Sequence, residues 1–350
     1  MKKNHLKNVW IDFSDKKNFF ETKINCHWIK SIIDFLNEWK DNNSFIKVVT
    51  SGSTGYPKTI FLKKKYMIHR AIKSVEYLNL NKKNNVKGLL CLSPNFIASK
   101  MFLVRAMIFN WKILCVYPSS NPLEKIKNYT FDITSMAPIQ SFFSIKYLNN
   151  IKNILIGGSK IKDIIKCKLQ NIISNCYDVY GLTETYGHIA FKKINGSNKD
   201  NYFKSLNDVV IDVDKRNCLK IIFPEMNNIF FQTNDIVKLQ SKNSFNVIGR
   251  YDNIINTGGI KIIPELLEKK IEPFIKKRRF FISSIPDDFF GEKIILVIEG
   301  SFFIIKIPEF FFKKKYLKPK KIFFVSKFKE NFIGKIKKIE IINELLLKNE

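Results

Sequence analysis

Apolar residues recur at helical spacing over residues 21–40, where Ile24, Trp28, Ile32, Phe35, Leu36 and Trp39 share a face, and this predicts an amphipathic helix. FIKVVT (45–50) then reads as a buried strand, with a Ser/Gly/Thr loop directly after it. Met67, Ala71, Val75 and Leu78 predict a second helix over 64–79. The runs GLLCLS (88–93), KILCVYP (112–118), FDITSMAP (131–138), NILIGG (153–158) and CYDVYG (176–181) predict strands, with helical patterns over 97–110 and 160–174 between them. Strands alternating with helices predict an α/β fold, layered around a largely parallel sheet.

The character changes near residue 205. VVIDV, LKIIF, IFFQT, IVKL and FNVIG follow at short intervals and predict an antiparallel β region. After GRYDN (249–253) the pattern is mixed, with a helix near 264–276, strands at FFISSI, KIILVIEG and KIFFVS, and a terminal helix over 339–348. That predicts a small α+β domain after the large one, with a division at 250/251.

Composition narrows the class. Hydrophobic residues are 45% of the chain, enough for a sizeable core. No run of about 18 apolar residues escapes a charge, so no membrane span is expected. MKKNHLKNVWIDF has no apolar segment after its charges, so no secretory signal is expected. The six cysteines form no CxxC pair, which suits reduced thiols in a cytoplasm. The net charge of +29 comes with an excess of Lys, Asn, Ile and Phe, all encoded by A/T-heavy codons. Basic residues are spread along the whole chain, so the charge reads as compositional and no nucleic-acid partner is expected. The sequence sets no oligomeric state.

The candidate chemistry begins at TSGSTGYPK (50–58). Gly52 and Gly55 let the backbone turn close to a ligand. Ser51, Ser53 and Thr54, after Thr50 at the head of the loop, offer hydroxyls, consecutive N–H groups can form an anion-binding concavity, and Lys58 adds a charge. A strand ending in such a loop suits a polyphosphate, although a Walker loop is absent. Five further strings follow in order: IGGSK (156–160), YGLTET (180–185), TNDIV (233–237), GRYDNIINTGGIKIIPELLE (249–268) and NFIGKIKK (331–338).

Together these strings resemble the motifs of the adenylate-forming superfamily, which holds acyl- and aryl-CoA ligases, luciferases and peptide-synthetase adenylation domains. The resemblance runs from about residue 45 to 340. It implies ATP, Mg2+ and coenzyme A as cofactors and co-substrates, and a small-molecule carboxylic acid as partner. By that resemblance loop 50–58 holds the ATP phosphates, and Gly157, Gly158 and Ser159 line the adenine pocket. Tyr180 and Gly181 lie near the adenine, Thr183 contacts the α-phosphate, and Glu184 binds Mg2+. Asp235 and Arg250 reach the ribose, and Asp252 matches the hinge of a mobile C-terminal domain (251–350). Gly258 and Gly259 match the coenzyme A tunnel loop, and Lys335 the catalytic lysine. Two departures stand out: Asn234 replaces a usual Gly, and Lys338 a usual Arg.

The phosphate loop of that superfamily normally lies more than a hundred residues in, so an N-terminal domain (1–250) with most of its first subdomain missing is expected. Short members of this kind resemble the o-succinylbenzoate–CoA ligases of menaquinone synthesis in Bacteroidota-type bacteria. SPNFIASKMFLVRA (93–106) looks most like that subgroup, with Ser99 where Gly is expected. The expected activity is therefore acyl-adenylate and then acyl-CoA formation on o-succinylbenzoate. Another aryl- or acyl-CoA ligase is the alternative, and a non-catalytic RNA-binding protein the remote one. Lys100 and His188 are expected to help hold the second carboxylate of the acid, whereas Arg105 reads first as a helix-surface charge.

Overall fold

The structure, a computed structural model, describes residues 8–15, 27–49, 58–275, 278–308, 312, 317–330 and 336–347. The chain clusters into two compact units. One comprises 1–211, 221–231 and 240–245, the other 212–220, 232–239 and 246–350. Among the described residues no helix is long and apolar enough to cross a membrane.

The first unit begins with β1 (Val9–Asp12), α1 (His27–Lys40), β2 (Phe45–Val49), β3 (Thr59–Lys63) and α2 (Lys64–Tyr77). It continues with β4 (Lys87–Leu90), α3 (Ile97–Ile108), β5 (Lys112–Cys115), β6 (Phe131–Met136), α4 (Pro138–Phe143) and β7 (Ile151–Ile156). Then come α5 (Asp163–Leu169), β8 (Asn175–Leu182), β9 (Gly187–Lys193) and β10 (Phe203–Ser205). Strands β5, β4, β6, β7 and β8 run parallel, as the alternation predicts, and antiparallel β1 and β9 flank them. The parallel strands carry near-continuous apolar runs because both faces are covered. Leu89, Leu114, Ile154 and Ile156 join Ile161, Ile165 and Leu169 in one core cluster.

Strands β11 (Val210–Val213), β12 (Cys218–Phe223), β13 (Ile229–Ser241) and β14 (Ser244–Arg250) complete a twelve-stranded sheet, their residues divided between the units. IFFQT and IVKL, read as two strands, are one, since TND at 233–235 stays extended inside β13. FIKVVT also differs from expectation. β2 pairs with β3 in a separate two-stranded ribbon, with Ile46 and Val48 buried but Phe45 and Val49 exposed. A ribbon covered on one face needs only alternate apolar positions. The helical pattern over 160–174 yields only α5, because Ser159 to Lys162 remain outside the helix.

The second unit also holds β15 (Ile255–Thr257), β16 (Ile260–Ile262), α6 (Pro264–Ile271), β17 (Phe280–Asp287), β18 (Gly291–Glu299), β19 (Lys321–Val325) and α7 (Lys338–Leu347). Alternate residues of the central strand β18 feed two cores. Ile294, Leu296 and Ile298 pack with Leu267 and Ile271 of α6, while Ile295 and Val297 pack with Ile341 of α7. The period of two along a strand explains why IILVI is apolar throughout.

Candidate active site

Part of the expected site, Thr50 to Pro57 and Lys335, lies outside the described residues. The ribbon bounds the loop: Val49 of β2 stands opposite Thr59 of β3, and Lys58 is exposed beside them.

Two other segments meet at the carboxyl ends of neighbouring parallel strands, where open α/β sheets present ligand sites. Gly157 to Ser159 follow β7, and Tyr180 to Glu184 close β8. A Cβ on Gly157 would come within 2.7 Å of the Val179 side chain, and Gly158 has φ +86°, so each position favours glycine for its own reason. The turn after β8 is tightly tied. Leu182 N–H donates to the Thr185 hydroxyl at 2.8 Å, and that hydroxyl lies 3.0 Å from the Gly187 carbonyl. A Cβ on Gly181 would lie 2.0 Å from that same carbonyl oxygen, so the motif glycine permits a backbone crossing. The bonding fixes a turn on which Thr183 is half-buried and Glu184 exposed. Tyr180 packs edge-on against Phe245, ring centroids 5.3 Å apart.

Asp178 belongs to this place and was missed in the sequence, where it is one acid in an otherwise apolar strand. It stands opposite Ile156 of β7, immediately before Gly157. Burial pushes its carboxyl up to about 7, against the pull of Lys166 and Lys192.

A second constellation joins α3, β9 and α2. Arg105 is not a helix-surface charge: only 1% of it is exposed. Apart from Ser99, Lys100 and Arg105 the helix IASKMFLVRAMI is apolar, with no separate polar face, which is the pattern of a buried helix rather than an amphipathic one, and reading it that way would have found the residue. Arg105 Nε donates to the Met101 carbonyl at 3.0 Å, while Nη1 is buried with no partner and no carboxylate pairs with the guanidinium among the described residues. Burial draws its proton affinity down to about 10. His188 on β9 has its Nδ1 buried and without a partner among the described residues. Burial, then Arg105 and Arg70, hold the His188 ring well below the usual imidazole range, so it is neutral.

Lys100 does not join this pair. Five residues before Arg105, it points roughly 140° away around the helix. Its ammonium lies 3.9 Å from Glu38 and 4.5 Å from the centre of the Phe35 ring, both on α1. Ser99 is accommodated where Gly was expected, because its hydroxyl donates to the Ser93 carbonyl at 2.7 Å.

In the second unit the structure brings Asp235, Arg250 and Asp252 together. Arg250 donates to Asp235 at 3.2 Å and to Asp252 at 2.6 Å. Asp235 is buried, and its own N–H donates to Thr233 Oγ1 at 3.1 Å. Asn234 takes no left-handed conformation, since it lies within β13 and accepts from Arg216 at 3.2 Å. Gly258 and Gly259, with φ +58° and +78°, form the two-residue turn of the β15–β16 hairpin. Lys338 lies 3.2 Å from Glu268, within its own unit.

No group of three or more His, Cys, Asp or Glu side chains that could hold a metal occurs among the described residues. A single exposed carboxylate such as Glu184 suits Mg2+, which commonly takes one or two protein oxygens together with substrate phosphates and water.

Comparison with known proteins follows the same lines. The family described as "AMP-binding enzyme" matches residues 15–213, more than half of the chain. A 2-succinylbenzoate–CoA ligase of Lactococcus lactis is 22% identical over 327 residues, spanning 87% of this chain and 72% of that protein. An acyl-CoA synthetase (AMP-forming)/AMP-acid ligase II-like protein from Dyadobacter fermentans has a similar structure, with TM-score 0.64 and 28% identity, over 97% of this chain and 100% of that one. The O-succinylbenzoate coenzyme A synthetase of Bacillus subtilis, solved with ATP and magnesium ion, shares the fold with TM-score 0.69 at 20% identity, over 83% of this chain and 68% of that one.

Proposed function

We propose that this chain, which belongs to the AMP-binding enzyme family, is an ATP-dependent, AMP-forming acid–thiol ligase whose acid is o-succinylbenzoate. The observation that carries the choice of acid is Arg105, a buried guanidinium with no carboxylate partner among the described residues, beside the unpartnered Nδ1 of His188. An unpaired buried cation is costly, and a ligand carboxylate removes the cost. o-Succinylbenzoate has two carboxylates, one to react and one to be held. A fatty acid or benzoate has only the first. The names of the Lactococcus and Bacillus relatives support the same acid.

In the first half-reaction the succinyl carboxylate attacks the α-phosphorus of ATP, the bond to the β-phosphate oxygen breaks, and pyrophosphate leaves. Loop 50–58 holds the β- and γ-phosphates and Thr183 orients the α-phosphate. Glu184 holds Mg2+, which when bound offsets the charge growing on the phosphate oxygens. Lys335 donates to the same developing charge. Gly157 to Ser159 and Tyr180 border the adenine, and Asp178 accepts from its amino group. Asp235 accepts from the ribose hydroxyls, with Arg250 holding it in place. In the second half-reaction the C-terminal domain turns about Asp252, removing Lys335 and bringing the Gly258–Gly259 loop to the thiol of coenzyme A. The thiol sulfur attacks the acyl carbon and AMP leaves. The functional division lies at 250/251, and the reaction is cytoplasmic.

The test is ATP-dependent thioester formation from o-succinylbenzoate and coenzyme A, with benzoate and a fatty acid beside it. Thioester from o-succinylbenzoate alone is expected, and preference for either control would overturn the assignment. Lys335→Ala separates the half-reactions: adenylation drops by about 100-fold or more. Conversion of supplied acyl-adenylate persists, and equal loss of both would contradict the division of labour.

A further inference from the structure

Arg70 and Asp208 form the most deeply buried ion pair among the described residues, each side chain 1% exposed. Neither belongs to a motif string. Arg70 lies on α2, and Asp208 in the loop between β10 and β11. Asp208 Oδ2 accepts from Arg70 Nη1 and lies 3.0 Å from His69 Nε2. The other arm of the guanidinium, Nη2, donates to the main-chain carbonyl of His188 at 2.6 Å. Its face lies over Phe223, 5.0 Å from the ring centre.

The location explains the need. The β9–β10 ladder ends at Ser205 opposite Ala190. Beyond it the Ile189 carbonyl accepts from the Leu206 N–H at 2.9 Å. The His188 carbonyl accepts from Arg70. His188 directly follows a turn with φ +58° at Tyr186 and +95° at Gly187. A one-residue slip there would turn the His188 ring to the other face of the sheet.

We propose that Arg70 is a positioning residue of the acid pocket: clamped by Asp208, it fixes the His188 carbonyl and so aims the His188 ring to the side of Arg105. The inference rests on the reading of that pocket given above. The pair also divides the charge. Arg70 is neutralised by Asp208, whereas Arg105 offers the acid a cation that no carboxylate among the described residues answers, matched to a single extra carboxylate.

Three variants test it. Arg70→Lys keeps the charge but not the two-armed reach between Asp208 and the His188 carbonyl. Arg70→Met with Asp208→Leu removes the pair without leaving an orphaned charge, so the protein stays folded. Arg105→Met is the control for the pocket itself. In acid-dependent pyrophosphate exchange, the first two are expected to raise the KM for o-succinylbenzoate about tenfold, with KM for ATP and kcat little changed. In acid-free NMR of histidine-labelled protein, the His188 ring resonances are expected to broaden or split in both. An unchanged acid KM with an unchanged His188 spectrum overturns the proposal, as does an equal rise in both KM values. If Arg105→Met leaves acid KM unaltered, the pocket reading fails, and the acid-free spectrum alone then decides whether Arg70 positions His188.

Discussion

Two arginines sit at candidate ligand sites and are handled in opposite ways. In the second unit Arg250 bridges Asp235 and Asp252, so its charge is answered twice by the protein. In the first unit Arg105 is more deeply buried and answered by no carboxylate among the described residues. A compensated cation holds its neighbours in place. An uncompensated one is poised for an anion that arrives from outside. The first arrangement stabilises the fold whether or not ligand is present, and the second costs stability until it is occupied.

The largest expected effect breaks the contrast at Arg105. Arg105→Met should raise the KM for o-succinylbenzoate by about 100-fold or more, since a buried charge-assisted contact is lost. The unliganded protein should nonetheless melt higher, because a desolvated cation is gone. A lower melting temperature would mean that the charge is satisfied within the protein. Arg250→Met should behave in the opposite sense. The buried Asp235 loses its contact with Arg250, unfolding free energy falls by ~2–3 kcal/mol, and KM for ATP rises. Urea titration with ATP kinetics reads both, and unchanged stability would dissolve the contrast.

Asp178 is an intermediate case, influenced by Lys166 and Lys192 but pushed up to about 7 by burial. Its native proton affinity exceeds the unfolded one, so the native state binds the extra proton between pH ~4 and ~7, and stability falls as pH rises through that window. Asp178→Asn should therefore gain ~2 kcal/mol above pH ~7, allowing for solvent screening, and nothing below pH ~4. Denaturant melts across pH check this, and a gain independent of pH would remove burial as the cause. The smallest effect is Gly259→Ala. A Cβ there meets nothing within 4 Å, but φ is +78°, so strain of ~1 kcal/mol is expected. A stability loss several times larger would show that space, not φ, sets that position.

Much of this was legible in the chain. The βα alternation from GLLCLS to CYDVYG gave the parallel strands, because buried strands and their covering helices each leave an unbroken apolar signature. The motif glycines pointed to real backbone demands at Gly158, Gly181, Gly258 and Gly259. Strand β9 was hidden, since HIAFKK directly continues a motif that reads as a turn. Arg105 and Lys100 share one short helix, and only its all-round burial separates them, one enclosed in the interior and the other laid against α1. Arg70 and Asp208 lie far apart in sequence, in segments without a motif, and no local pattern announces that they meet.

The most direct test compares o-succinylbenzoate with 4-oxo-4-phenylbutanoate, the same acid without its ring carboxylate, in ATP–pyrophosphate exchange by the wild-type protein and by Arg105→Met. If the acid supplies the missing counter-ion of Arg105, wild type will favour o-succinylbenzoate by about 100-fold in kcat/KM, and the variant will lose that preference. Equal use of the two acids by wild type, or an intact preference in the variant, would contradict the account.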